Sequence, residues 1–275
     1  MTTLALPASR FTDLLAAEWI KLRSLRSTYW AFGCGALAVV GFNANAARAD
    51  YVNYPHYGGP IRDDFVYWAL RDAFTDGSAM ILVLVCASIG AITIVGEYAT
   101  GLVRTTFTAV PDRRALMAAK VVVLTAVMTL FGALVAAASY ASSQAILDGR
   151  GLGVPISHPG AWRVVVASAL LAPVCALVGM GLGAVIRHSA TTMVLTTFVL
   201  LLLPSFVTDR YRWTASVRHT FPFNAWTRIV DVGYGQSHML VPKYPATVAG
   251  GWVVFAVWAV VAAVVAVVVV DRRDV

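Results

Sequence analysis

The chain has 275 residues, 59% of them hydrophobic and 13% charged, with a net charge of +7 and a mean hydropathy of +0.74. Soluble domains carry about 25% charged residues, so this composition excludes an ordinary water-soluble domain and points to an integral membrane protein. The basic residues flank apolar runs and form no stripe, which fits topology signals and contact with lipid phosphates and argues against nucleic-acid binding despite a pI near 9.6.

Residues 9–27 mix Phe11, Leu14, Leu15, Ile20, Leu22 and Leu25 with Asp13, Glu18, Lys21, Arg23 and Arg26 at rough helical spacing. They predict an amphipathic helix lying on the membrane surface; the plainer alternative is a positive leader that orients the first span. Six runs follow that contain no Asp, Glu, Lys, Arg or His, at 28–47, 78–95, 121–140, 164–186, 190–207 and 250–270. Each is long enough to cross a hydrocarbon core of ~30 Å as a helix. None alternates as a barrel strand does. The expected fold is therefore all-α, a single polytopic transmembrane domain of six helices over 1–275.

Between the first two runs, residues 48–77 carry Tyr51, Tyr54 and Tyr57 as interfacial anchors, a Gly58-Gly59-Pro60 break and a helical stretch over 63–74. Runs four and five are separated by Arg187, His188 and Ser189, which predicts a tight helical hairpin, with Pro173 and Pro204 kinking its arms. Gly179-Met180-Gly181-Leu182-Gly183 has the small-residue spacing that lets helices approach closely. Residues 208–249 hold Trp213, Phe221, Phe223 and Trp226, and read as an interfacial anchor before a lid or re-entrant element. Cys34, Cys86 and Cys175 fall inside the spans, as small packing residues.

Six spans put both termini on one side. Eleven of the 21 basic residues then share that side, with a net charge of +5 against +2 opposite, so both termini are expected on the cytoplasmic side of a cell membrane. An ion-coupled transporter needs ionisable groups at membrane depth, and the six runs have none. The three lysines, Lys21, Lys120 and Lys243, are not followed by Ser or Thr, so no Walker phosphate loop is present. His56, His158, His188, His219 and His238 are isolated. No catalytic residue and no metal site is expected, and the chain is not expected to be an enzyme.

The remaining stretch, 96–120, is the most informative. Glu97 follows span two directly, Gly101 can relieve a bend, 102–108 makes about two helical turns, and Pro111 with Asp112 stops them before a helix starts toward Lys120. This pattern of Glu97-x-x-x-Gly101, a Thr-rich turn, Pro111-x-Arg113-Arg114 and Lys120, with Glu18-Trp19-x-Lys21-Leu22-Arg23 ahead of span one, resembles the permease family of type-2 ABC exporters. The resemblance covers essentially the whole chain. It implies that a short cytoplasmic helix over 101–108 docks in a groove of a separate ABC ATPase subunit, which holds the ATP and Mg; this chain carries no cofactor of its own. Glu97, Gly101, Leu102, Arg104, Thr105, Pro111, Arg113 and Arg114 are then the coupling residues, with Arg104 a contact and Glu97 paired to a nearby basic side chain.

The resemblance further implies a dimer with a second copy or a sibling permease, whose spans two and five line the substrate path. Ser88, Thr93, Thr196, Thr197 and Phe198 are the candidates there. Many Arg, Ala and Val with three Lys suggest a GC-rich, actinobacterial-like bacterial genome, where such permeases accompany export of drug-like, lipid or peptide substrates, multidrug efflux included. The alternative is a non-transporting membrane anchor or sensor that recruits a soluble partner through the same loop.

Overall fold

The computed structural model describes residues 10–24, 26–110, 112–232 and 243–272, and among them every regular element is helical. Helix α1 (Phe11–Ser24) precedes α2 (Arg26–Asn53), which ends in a single 3-10 turn, Tyr54–His56. Short helices α3 (Gly59–Asp63) and α4 (Phe65–Asp72) lead into α5 (Asp76–Ala99), and α6 (Leu102–Ala109) separates it from α7 (Arg113–Asp148). Then come α8 (Ala161–Ile186), α9 (Ser189–Thr197), a π-helical turn Phe198–Leu202, α10 (Leu203–Phe206), α11 (Arg212–His219), α12 (Pro222–Val230) and α13 (Val248–Arg272).

Six helical stretches are long and apolar enough to cross a membrane: Arg26–His56, Phe65–Ala99, Arg113–Asp148, Ala161–Ile186, Ser189–Phe206 and Val248–Arg272. The fold is that of a multi-pass membrane protein. Most of these helices overrun the charge-free runs, because a helix keeps its own hydrogen bonds where the environment turns aqueous. The 36 residues of α7 extend about 54 Å at 1.5 Å per residue, well beyond a hydrocarbon core.

Helix α8 is the hub of the bundle. In its apolar window 78% of residues are buried, against 22% in the windows of α2, α9 and α13, which leaves those three facing lipid or another chain. α5, α7, α12 and α13 pack around α8. The approach to α5 is backbone on backbone: a Cβ on Gly90 would fall 1.9 Å from the carbonyl oxygen of Ala176, and one on Gly179 would fall 2.0 Å from that of Ala87. So the small-residue motif packs inside the protomer. On the α7 side, Pro173 has no N–H for the Ala169 carbonyl, and that oxygen sits 2.1 Å from where a Gly132 Cβ would lie.

A polar node fixes the other spans. Asn43, fully buried in α2, donates to Ser139 Oγ of α7 (3.1 Å) and accepts from the amide (3.1 Å) and hydroxyl (3.0 Å) of Thr75, the N-cap of α5. Without Asn43 the buried Ser139 hydroxyl and the Thr75 amide would lose these partners.

At the end of the bundle away from α6, the tyrosines expected as boundary anchors gather in a half-buried cluster. Tyr54 packs edge-on to Phe65 with ring centroids 4.8 Å apart, and Tyr57 lies against the same ring. Tyr57 donates to Asp50 at 2.7 Å, and burial first, then that hydrogen bond and the nearby Asp50 and Asp72 charges, push its hydroxyl up to about 12. Of the aromatics expected at the interface in 208–249, Trp213 is 70% exposed but Trp226 only 1%. Trp226 is a core residue because α12 turns back onto α8, where its indole N–H finds Ser168 Oγ at 3.0 Å.

Candidate functional site

Helix α1, helix α6, the hairpin turn between α8 and α9 and the last turn of α13 gather at one end of the bundle, the loop end. Leu14 and Glu18, four residues apart on α1, meet Leu116 and Lys120, four apart on α7. Residues at that spacing share a helix face, so one apolar contact carries one ionic contact with it. Leu14 is 5% exposed and Leu116 3%.

The ionic contact is part of a four-membered cluster. Lys120 Nζ reaches Glu18 Oε2 at 2.5 Å and Glu97 Oε1 at 2.8 Å; Lys21 Nζ reaches Glu18 Oε1 at 2.7 Å and the same Glu97 oxygen at 3.1 Å. Glu18 is 3% exposed, Lys120 5%, Glu97 15% and Lys21 37%. Two charges of each sign, alternating in space, compensate the desolvation that would expel either sign alone. Burial pulls the Lys21 ammonium down, yet hydrogen bonds and charge from Glu18 and Glu97 outweigh it and hold the group above its ordinary value. Glu97 does find a basic partner. It finds two, from elements on either side of it in the chain.

α6 hangs from this cluster by Gly101, whose φ of +72° places it in the left-handed region at the helix N-cap. A Cβ there would meet no atom within 4 Å, so the need for glycine is torsional. Val103, 4% exposed, anchors one face of α6, with half-buried Phe107 beside it; Leu102, Thr105 and Thr108 form an open face. The hydroxyls of Thr105, Thr106 and Thr108 donate to carbonyls of the same helix. Arg113 lies over the Phe107 ring at 4.9 Å. Arg114 pairs with Asp271 at 2.7 Å and joins the start of α7 to the end of α13. Pro111 and the side chain of Arg104 lie outside the described residues.

Next to the cluster is a cavity of about 230 Å³, bounded by Glu18, Lys21, Glu97 and Lys120 at its polar end and by Leu22, Ile92, Val123 and Leu124 along apolar walls. The residues expected to share a substrate path do not all converge. Ser88, Thr196 and Thr197 line one shallow crevice between α5 and α9. Thr93 belongs to the larger cavity instead, one and a half turns along α5, and Phe198 sits 38% exposed in the π-helical turn outside the crevice. Among the described residues, no three of His, Cys, Asp or Glu converge as a metal site.

No family model matches the chain, and no curated protein matches its sequence. Function has to be argued from the loop end itself. Glu18, Lys21 and Lys120 belong to the quoted sequence pattern but not to the expected coupling residues: Lys120 immediately precedes the third apolar run, and Glu18 and Lys21 lie on the charged face of the helix ahead of the first. Nothing in that spacing shows that they meet.

Proposed function

We propose that this chain is the membrane-spanning permease subunit of a type-2 ABC exporter, working in a bacterial cell membrane with the loop end and both termini in the cytoplasm. The observation that carries this reading is the Glu18–Lys21–Glu97–Lys120 cluster with α6 suspended from it. An eight-residue helix with an open face, attached through one left-handed glycine to the last turn of a span, is a lever. A soluble ATPase holding ATP and Mg pushes on Leu102, Thr105 and Thr108. Glu97 passes the displacement to α1 and α7, because a buried ion cluster exchanges partners or stays closed and does not deform by degrees.

The substrate is drug-like, lipid or peptide and leaves through a path completed by a second permease copy or a sibling. The exposed faces of α9 and α13 suit that contact. The test is ATP turnover of the permease–ATPase complex in vesicles. Glu97→Ala should insert normally and lower coupled turnover about tenfold or more, since one charge-assisted contact is worth ~1.5–3 kcal/mol. Turnover equal to wild type would contradict the lever and favour an anchor or sensor that only recruits its partner.

A further inference from the structure

From the cavity at the loop end we infer a binding site for a cationic amphiphile, a molecule with an apolar body and a protonated amine. Its walls, Leu22, Ile92, Val123 and Leu124, are hydrocarbon. A smaller groove continues from it between α2 and α5, past Thr28, Ala31 and Ile89, sharing Leu22, Ile92 and Thr93 with the main cavity. A flexible tail can therefore leave the cavity along a mostly apolar groove between two spans. The main cavity alone lies just under the ~300–1,000 Å³ of drug-sized sites, and the groove extends it.

The polar end selects the sign of the ligand. Three hydroxyls line the cavity, and each spends its one proton on its own helix: Ser24 on the Lys21 carbonyl at 2.8 Å, Thr93 on Gly90 at 2.7 Å and Thr100 on Gly96 at 2.8 Å. They present lone pairs only. The two carboxylates have four oxygens, and Lys21 and Lys120 occupy three of them. The fourth, Glu97 Oε2, has no hydrogen-bond partner among the described residues. Each ammonium already bridges both carboxylates, so an anion approaching Lys21 meets Glu97 at the same time. An amine that reaches Glu97 Oε2 meets an unused carboxylate oxygen, with the hydroxyl oxygens of Ser24, Thr93 and Thr100 spaced along the same cavity wall.

Binding needs neither nucleotide nor an ATPase, so the site stands or falls apart from the permease reading. If that reading holds, the site is where substrate is taken from the cytoplasmic leaflet.

The test is equilibrium binding, in nanodiscs of zwitterionic lipid, of a dansylated alkylamine and of a dansylated alkyl carboxylate of equal chain length. The amine should bind saturably and at least about tenfold more tightly than the carboxylate, the value of one charge-assisted hydrogen bond. Glu97→Gln should weaken amine binding by about the same factor. Thr93→Phe, which fills the cavity from a half-buried position and leaves all four charges in place, should abolish saturable binding while the variant melts like wild type. Equal affinity for the two probes, preference for the carboxylate, no saturable amine binding, or amine binding indifferent to Thr93→Phe would each overturn the proposal.

Discussion

Lys120 is the residue whose loss should be felt most, since it joins α7 to both α1 and α5 from a position 5% exposed. Removing one member of a buried pair strands the other and costs roughly 3–5 kcal/mol. Lys120→Met should therefore lower the melting temperature in detergent sharply. Adding Glu18→Met should recover most of the loss, because no charge is then left unmatched; a double variant that is no better than the single one would show that Glu18 and Lys120 are not coupled. The pH dependence of the cluster follows from Lys21. Its value is raised in the folded protein above the unfolded 10.5, so its contribution is fully present below that pH and is lost as pH rises through the folded value. Thermal melts of wild type and Lys21→Met should differ at neutral pH and converge only in the alkaline range above 10.5. Convergence at or below neutral pH would contradict this. At this scale the sequence was half legible. Glu97 announced itself as a lone acid at the end of an apolar run, but its partners lie 76 and 23 positions away, and Glu18 and Lys120 are 102 apart. Only the packing of α1 on α7 brings them together.

Among the elements, the apolar runs were plain because absence of charge over a span's length has one physical reading in lipid. Their ends were less so, since helices continue past the hydrocarbon on hydrogen bonding alone. Nor did hydropathy mark α8 as the hub, because a helix in lipid and a helix inside a bundle are equally apolar. The signal was small residues, Gly179 through Gly183, and it was ambiguous about what they pack against. α5 is the answer. Gly90→Ala and Gly179→Ala each place a methyl about 2 Å from a backbone oxygen of the other helix, which neither helix can relieve by rotating a side chain. Either should cost at least the roughly 1–3 kcal/mol of an overpacked core. Gly33→Ala in α2, where a Cβ meets nothing within 4 Å, should be silent or slightly stabilising. Melting all three variants side by side tests the crossing; equal behaviour of Gly33→Ala and Gly179→Ala would refute it. Helix α12 was missed as a core-forming element because Trp226 reads as an interfacial aromatic until Ser168 is seen to receive its N–H.

For the molecule as a whole, the two ends are held together by different kinds of contact. The far end is fastened by the Asn43 node and the Tyr54–Phe65 cluster. The loop end depends on an ion cluster beside a cavity, with α6 open to a partner on one face. On the permease reading, energy reaches the chain from outside, at α6. This is tested most directly by purifying the tagged protein from its native membrane in mild detergent and identifying by mass spectrometry what accompanies it. The account predicts an ATPase with a Walker phosphate loop, at one copy per permease, lost when Leu102 and Thr105 on the open face of α6 are changed to Glu. Recovery of the chain with no nucleotide-binding partner, or with one that the Leu102→Glu, Thr105→Glu variant retains in full, would contradict it.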